Sequence, residues 1–342
     1  MLIYRNLKLA LFFVLALYTL CWAEPQTGTS PNASVPDGGD GVKGQTDKGE
    51  KEGDVQYIQH YGGTVRFLFA LPNLDLKLGL VDGDKKYSIH SNTSPDIGID
   101  ASYKGFGFGI SYRTEPESES IEKRGQTTYR DYQFYYYGEQ LGASVFYQDY
   151  QGFYVNRCEE ADECVKLPDL GMTNYGMNLY YVFSPKFSLK SAFKQTARQR
   201  ISAGSWLAMI VGDRLSFRDT SPIPPSAWAD ELGDVAGLIE AELTNLGLGG
   251  GYGYTFAGER WYASPILLAG GALQHQRYTD RGGRHSGYRG ALTVNVKIAA
   301  GYHGDRHLVG VVGLLHSQSS VIDGLELQWF GSMVELYYGF HF

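Results

Sequence analysis

The sequence predicts an all-β protein: a transmembrane, antiparallel, up-and-down β-barrel of about twelve strands, a segment count that also accommodates about ten or fourteen. Three observations carry this. The final stretch, Val334 to Phe342, places Val334, Leu336, Tyr338, Phe340 and Phe342 on one face and Glu335, Tyr337, Gly339 and His341 on the other. The same two-sided pattern recurs along most of the chain. The chain also begins like an exported protein, yet after that start no apolar run approaches the ~18 residues of a membrane helix. Only helices and closed barrels cross lipid, because every backbone polar group needs a partner within the protein.

In order along the chain, residues 1–23 read as a secretory signal. Arg5 and Lys8 precede the apolar run Leu9 to Leu20, and cleavage is expected after Ala23. Residues 24–54 are rich in Gly, Pro, Ser, Thr and charge. Such a stretch buries too little apolar surface to offset its ordering entropy, so it is expected to be a disordered periplasmic linker, able to contact the cell wall or a periplasmic partner. Residues 55–342 are left for the barrel. The composition agrees, with 26 Tyr, 17 Phe and 44 Gly.

Alternation is clear in several segments. Ile97, Ile99, Ala101 and Tyr103 oppose Asp96, Gly98, Asp100, Ser102 and Lys104; Phe106, Phe108, Ile110 and Tyr112 oppose Gly107, Gly109, Ser111 and Arg113. Tyr175 to Phe183, Leu246 to Phe256 and Leu292 to Tyr302 repeat the pattern. Phe187, Leu189 and Phe193, set against Lys190, Lys194 and Arg198, are read as a further strand. About ten residues per strand, one face apolar, suits a tilted bilayer crossing. A soluble barrel would turn the apolar face inward; the export signal and Phe342 favour the lipid-facing arrangement.

Connections are expected to alternate, short at the periplasm (104–105, 138–139, 184–186, 257–259, 304–305) and long outside (115–127, 151–171, 216–241, 277–286, 318–327). Gln199 to Phe217 disturbs this count and is assigned to an excursion between barrel strands. Trp228, Leu232, Val235, Ile239 and Leu243 recur at helical spacing after Ser226 and predict a short amphipathic loop helix. Cys158 and Cys164 bracket an acidic pentapeptide, which suggests a disulfide in an oxidising compartment.

At Ser94 to Ile99 with SYKGFGF after it, at NYGMNLYYVFSPKFSLKSAF from Asn174, at RQRISAGSWL from Arg198 and at GYGYTF from Gly251, the chain resembles the bacterial family called domain of unknown function 4421. The likeness runs from about Tyr57 to the end, and its most specific piece is Gln199 with Ser202, Gly204, Ser205 and Trp206. It implies an outer-membrane barrel and supplies no catalytic residue.

The strand faces place Asp96, Asp100, Lys104, Arg113, Asp131, Lys190, Lys194, Arg198, Arg289, Lys297 and Glu335 in the lumen. Two readings stand. The charges pair and close the interior, giving a structural or adhesive surface barrel, or surplus cations line a passive pore or hold a small anionic ligand. Like charges at Lys190, Lys194 and Arg198 on one strand would require neutralisation. An outer-membrane lipid hydrolase needs a nucleophile beside a base. His285 with Ser286 and His316 with Ser317 are sequence neighbours that point to opposite faces of a strand, and Ser205 lacks the nucleophile-elbow pattern. No catalytic residue, metal or cofactor is assigned. The expected partners are outer-membrane lipid and, through Tyr338, Phe340 and Phe342, the barrel-assembly machinery. A net charge of -7 disfavours nucleic acid.

Overall fold

The computed structural model describes residues 56–80, 86–155, 164–223, 237–280, 282–322 and 325–342. The expected signal, the linker, position 158 of the cysteine pair and the helical spacing at Trp228, Leu232 and Val235 lie outside these residues.

Twelve strands close the wall: β2 (Gly63–Leu80), β4 (Asp96–Tyr103), β5 (Phe106–Arg113), β6 (Thr128–Tyr137), β7 (Leu141–Val155), β8 (Val165–Val182), β10 (Ala203–Ile223), β11 (Leu238–Ala257), β12 (Trp261–Asp280), β13 (Gly283–His303), β14 (His307–Ile322) and β15 (Leu325–His341). Neighbours are antiparallel, and β15 pairs with β2 from His341↔Thr64 to Leu325↔Leu80. The C-terminal residue completes the seam: Gly63 N–H donates to the Phe342 carbonyl at 2.9 Å and Phe342 N–H to the Gly63 carbonyl at 3.1 Å. A third strand type is short. β3 (Lys86–His90) pairs with the outer part of β2 and touches β7 at Ile89↔Val155 and His90↔Tyr154, replacing β4 to β6 at the upper level. A one-turn helix, α1 (Ser118–Arg124), joins β5 to β6.

The alternation has the expected sense. Val334, Leu336, Tyr338 and Phe340 are exposed, whereas Glu335 and Tyr337 are buried. Outward Phe67, Phe69, Ile97, Ile99, Trp206, Ile210, Leu246, Leu248 and Leu267 continue this apolar band, which only lipid can cover at low free energy. Above the band the outer face turns charged. Arg214 pairs with Glu242, which also meets Arg277 at 3.3 Å, and Arg218 pairs with Glu240.

Beyond that boundary the strands keep going. β10 and β13 have 21 residues each, about twice the expected crossing. The upper interior is an apolar core of Leu74, Leu76, Leu78, Ile89, Phe153, Leu170, Leu215, Phe217, Leu238, Leu325 and Trp329. Strands therefore occupy segments assigned to long loops. The turns at 281–282 and 323–324 are short, and Ile239 and Leu243 lie on β11 rather than on a helix.

The largest departure concerns residues 183–202. Phe187 to Arg198 does not form a barrel strand, and Ala203 to Phe217, assigned to an excursion, lies in the wall as β10. The inward face of β10 is apolar (Leu207, Met209, Val211, Leu215, Phe217), so its polarity runs opposite to that of its neighbours. Residues 184–202 instead fold inside the short-turn end. There a single π-helical turn (Lys190–Lys194) leads to β9 (Ala197–Gln199), which pairs with β1 (Ile58–His60). Phe187, Leu189 and Phe193 are buried in the tube, not turned to lipid.

One ladder is incomplete. β4 and β5 pair over eight positions up to Asp96↔Arg113, and β6 and β7 over ten. β5 and β6 pair only at Phe106↔Tyr136, Gly107↔Tyr135 and Phe108↔Phe134. Gly107 is required at that sill, since a Cβ there would lie 1.8 Å from the Tyr135 ring.

Candidate functional site

The interior is divided into three levels. At the bottom, Arg66 is fully buried and holds the plug to the wall. Its Nε and Nη2 reach Asp100 Oδ1 at 3.2 and 3.0 Å, and Nη1 lies 3.4 Å from Glu335. The same Nη1 donates to the Phe193 carbonyl at 3.1 Å and to Gln195 Oε1 at 3.0 Å, while Lys194 Nζ meets Asp100 at 3.2 Å. Gln195, at φ 53°, donates on to Tyr262, whose hydroxyl pairs with that of Tyr337 at 2.6 Å. Two cations and two carboxylates therefore neutralise one another where burial would otherwise penalise each.

The row Lys190, Lys194 and Arg198 does not exist as a strand face. Lys190 pairs with Glu139 of the β6–β7 turn at 2.7 Å, Lys194 with Asp100, and Arg198 lies on β9 opposite Gln59. Burial opposes the charge on Glu139, but the Lys190 ammonium bonded to it holds its carboxyl below the ordinary range. Lys104 occupies the β4–β5 turn, exposed, and Arg289 is exposed near the outer end of β13; neither lines the interior.

Above the plug lies a chamber of about 210 Å³. Phe193 and Lys194 form its floor, and Leu74, Tyr150 and Trp329 its roof. Polar walls come from Asp131, held by Gln133 at 3.2 Å and Gln148 at 2.9 Å, and from Asp213, to which Asn245 donates at 2.8 Å. Lys297 Nζ enters between rings, 3.2 Å from the Tyr180 hydroxyl and 5.7 Å from the Phe193 centroid. Among the described residues, no carboxylate pairs with Lys297. Two lining groups have an unsatisfied polar atom: the Asn174 carbonyl oxygen, an acceptor, and the Trp329 indole N–H, a donor. Both residues are 5 % exposed, so bulk water does not reach these atoms.

At the side, Asp96 accepts from the Tyr129 hydroxyl and, at 3.4 Å, from Ser111. Arg113 spans the unpaired strands: Nη1 and Nη2 donate to the carbonyls of Thr127 at 3.1 Å and Tyr129 at 2.5 Å, and the guanidinium lies 3.7 Å from the Tyr129 ring centroid.

A family model described as a domain of unknown function (DUF4421) matches residues 52–342. The chain belongs to that family. The motif residues of this DUF4421 chain are joints between plug and wall. Gln199 donates to the carbonyls of Lys186 at 2.7 Å and Ile201 at 2.9 Å, and Ser202 accepts from Ala257 N–H at 2.9 Å. Ser205 accepts from Ser184 N–H at 2.9 Å, while Trp206 packs edge-on against Tyr252 across the Gly204 strand.

No curated protein matches the DUF4421 chain by sequence. Among solved structures, it is similar to the outer membrane protease OmpT from Escherichia coli, with TM-score 0.38 and 9% identity over 84% of this chain and 99% of that one. The toluene transporter TodX of P. putida gives TM-score 0.27 and 12% identity over 82% and 90%. Ail, the attachment invasion locus protein of Yersinia pestis, gives TM-score 0.19 and 8% identity over 82% and 99%. At these scores the architecture of the DUF4421 barrel rests on its own ladders. The serine–histidine neighbours of the sequence are split between faces: His275 meets Ser286 at 3.3 Å on the outer side of β12 and β13, and His285 meets Asp280 at 3.0 Å on the inner side.

The chamber was only partly legible in sequence. Asp131, Lys297 and Glu335 came from strand parity, whereas Arg66, Asn174, Asp213 and Trp329 did not. Their segments show the parity too, but the signal that makes them important is a missing partner, which sequence does not carry.

Proposed function

We propose that this outer-membrane barrel binds a small anionic ligand in its central chamber and stays closed to bulk solute at rest. One observation carries the reading. A chamber sealed by a charge-paired plug below and an apolar core above holds a cation without a carboxylate partner among the described residues, beside an orphaned acceptor and an orphaned donor. A buried polar atom without a partner costs about 1–3 kcal/mol, so a ligand or water that satisfies Asn174 and Trp329 is favoured there. Aromatic walls at Tyr135, Tyr150, Tyr180 and Phe193 favour a ligand with an apolar body over an inorganic ion. A passive pore is disfavoured by the plug. A purely structural barrel would account for the Arg66 network but leaves the chamber unexplained.

The test combines two measurements on the folded, purified mature chain. In planar bilayers it should be silent, and calorimetry should show saturable binding of hexanoate, a short carboxylate with an apolar body, lost in Lys297→Met. Steady conductance in the unliganded protein, or no heat of binding at millimolar hexanoate, would refute the reading.

A further inference from the structure

The incomplete β5–β6 ladder is a window in the wall at membrane depth. Its sill is the three-pair ladder ending at Phe108↔Phe134. Its lintel is Arg113 together with the Asn92 clasp, in which Asn92 N–H donates to Thr127 Oγ1 at 2.7 Å and the Asn92 amide to the Gly125 carbonyl at 2.6 Å. Between them Gly109 to Arg113 and Thr128 to Gln133 make no ladder with each other. Five tilted strand residues rise about 13 Å, a large part of one leaflet. The height is fixed by neighbours: Arg113 pairs with Asp96 and Asp96 with Ala70, next to lipid-facing Phe69 and Leu71.

Three features show that the gap is open rather than packed. Ser111 faces inward by parity yet is exposed, while Asp96 and Asp100 on the adjacent strand are buried. Asp131 and Gln133, on the β6 edge of the gap, are themselves chamber-lining residues. The outward flanks, Ile110, Tyr112, Tyr132 and Phe134, are all more than half exposed and apolar or aromatic, so the opening faces lipid tails, not water. Unpaired strand backbone at that depth is tolerated only where it lines a cavity or meets a ligand.

We propose that the β5–β6 window admits a single-chain amphiphile with a carboxylate head from the outer leaflet, its head seated at Lys297 and its chain lying in the window. This rests on the chamber reading above and extends it. The occupant follows from complementarity at each end: a cation without a carboxylate partner among the described residues and aromatic walls inside, lipid-facing apolar flanks outside, and a polar edge of Asp96, Ser111 and Asp131 between them for bound water. A chamber of about 210 Å³ takes a head and a few carbons, not a second acyl chain. Arg113, bonded to Thr127 and Tyr129 across the top, limits how far the strands part.

The experiment uses the mature chain in phosphatidylcholine nanodiscs with two probes: hexanoate, which needs no chain path, and dodecanoate, which does. In Ser111→Trp the indole fills the window. The expected result is dodecanoate affinity at least tenfold weaker with hexanoate affinity within twofold of wild type. A photoreactive dodecanoate carrying a mid-chain diazirine should label residues 109–113 and 128–134 of the unmutated protein, which holds even if the variant fails to fold. Labelling confined to other segments, or dodecanoate binding unchanged in a folded Ser111→Trp, would overturn the window. Failure of both carboxylates to bind wild type would overturn the chamber reading instead.

Discussion

Arg66 on the first wall strand donates from Nη1 to the carbonyl of Phe193 in the plug at 3.1 Å, so one buried guanidinium belongs to both parts of the molecule. Its charge is balanced by Asp100 and Glu335, its geometry fixed by Gln195.

Removing that side chain leaves Asp100 and Glu335 short of a partner. Arg66→Met is expected to destabilise the barrel by about 3–5 kcal/mol and to free the plug. Urea unfolding in detergent measures the first effect, and conductance steps absent from wild type measure the second. A silent bilayer with the variant folded would mean that the plug is held by packing of Phe187 and Phe193 alone.

The hydrogen bond of a charged group is worth about 1.5–3 kcal/mol, which sets the scale at Lys297. Lys297→Met should weaken hexanoate binding about tenfold to a hundredfold, and Lys297→Arg should retain most of it. Equal affinity in all three proteins would place the carboxylate elsewhere.

The upper core should behave as protein interior although it lies in a membrane protein. Phe217 is 1 % exposed, and Phe217→Ala is expected to cost about 3–5 kcal/mol. Leu248, 69 % exposed in the lipid band, should tolerate Ala easily but lose about 2–4 kcal/mol on replacement by Arg. Equilibrium unfolding of both in lipid distinguishes inside from outside.

Acid should loosen the plug margin. The Glu139 carboxyl is held below its ordinary value of 4.5 by Lys190, so the stabilisation is full above that value and is lost as pH falls through the lower folded value. Hydrogen exchange at residues 184–199 should quicken between about pH 5 and pH 3, and Glu139→Gln should already exchange faster at neutral pH. The pair is solvent-screened and its effect modest. Unchanged exchange in the variant would show that the pair does not hold the plug.

The outer surface was readable from the chain because lipid imposes one rule on every strand: Val334, Leu336 and Tyr338, or Ile97 and Ile99, had to alternate with polar partners. The interior obeys no single rule. Phe187, Leu189 and Phe193 have the same spacing as a lipid-facing strand but serve as plug core. Their missing member, Ser191, marks instead a turn in which its N–H bonds to Ser188. β10 was passed over because its inward face is as apolar as its outward one, since it backs both the plug and the upper core. The lengths of β8 to β13 were underestimated for the same reason: above the charged ring of Arg214, Glu242 and Arg277 the apolar face switches from outside to inside, which resembles the end of a strand. The plug joints at Gln199, Ser202 and Ser205 were visible as a motif, but their purpose required the fold.

Trp329 offers the most direct measurement of the chamber, since its indole roofs it with an unpartnered N–H. With Trp206, Trp228 and Trp261 replaced by Phe, its emission should shift saturably on titration with hexanoate, and Lys297→Met should abolish that shift. An emission that does not saturate, or one that saturates identically without the lysine, would contradict a chamber built for an anion.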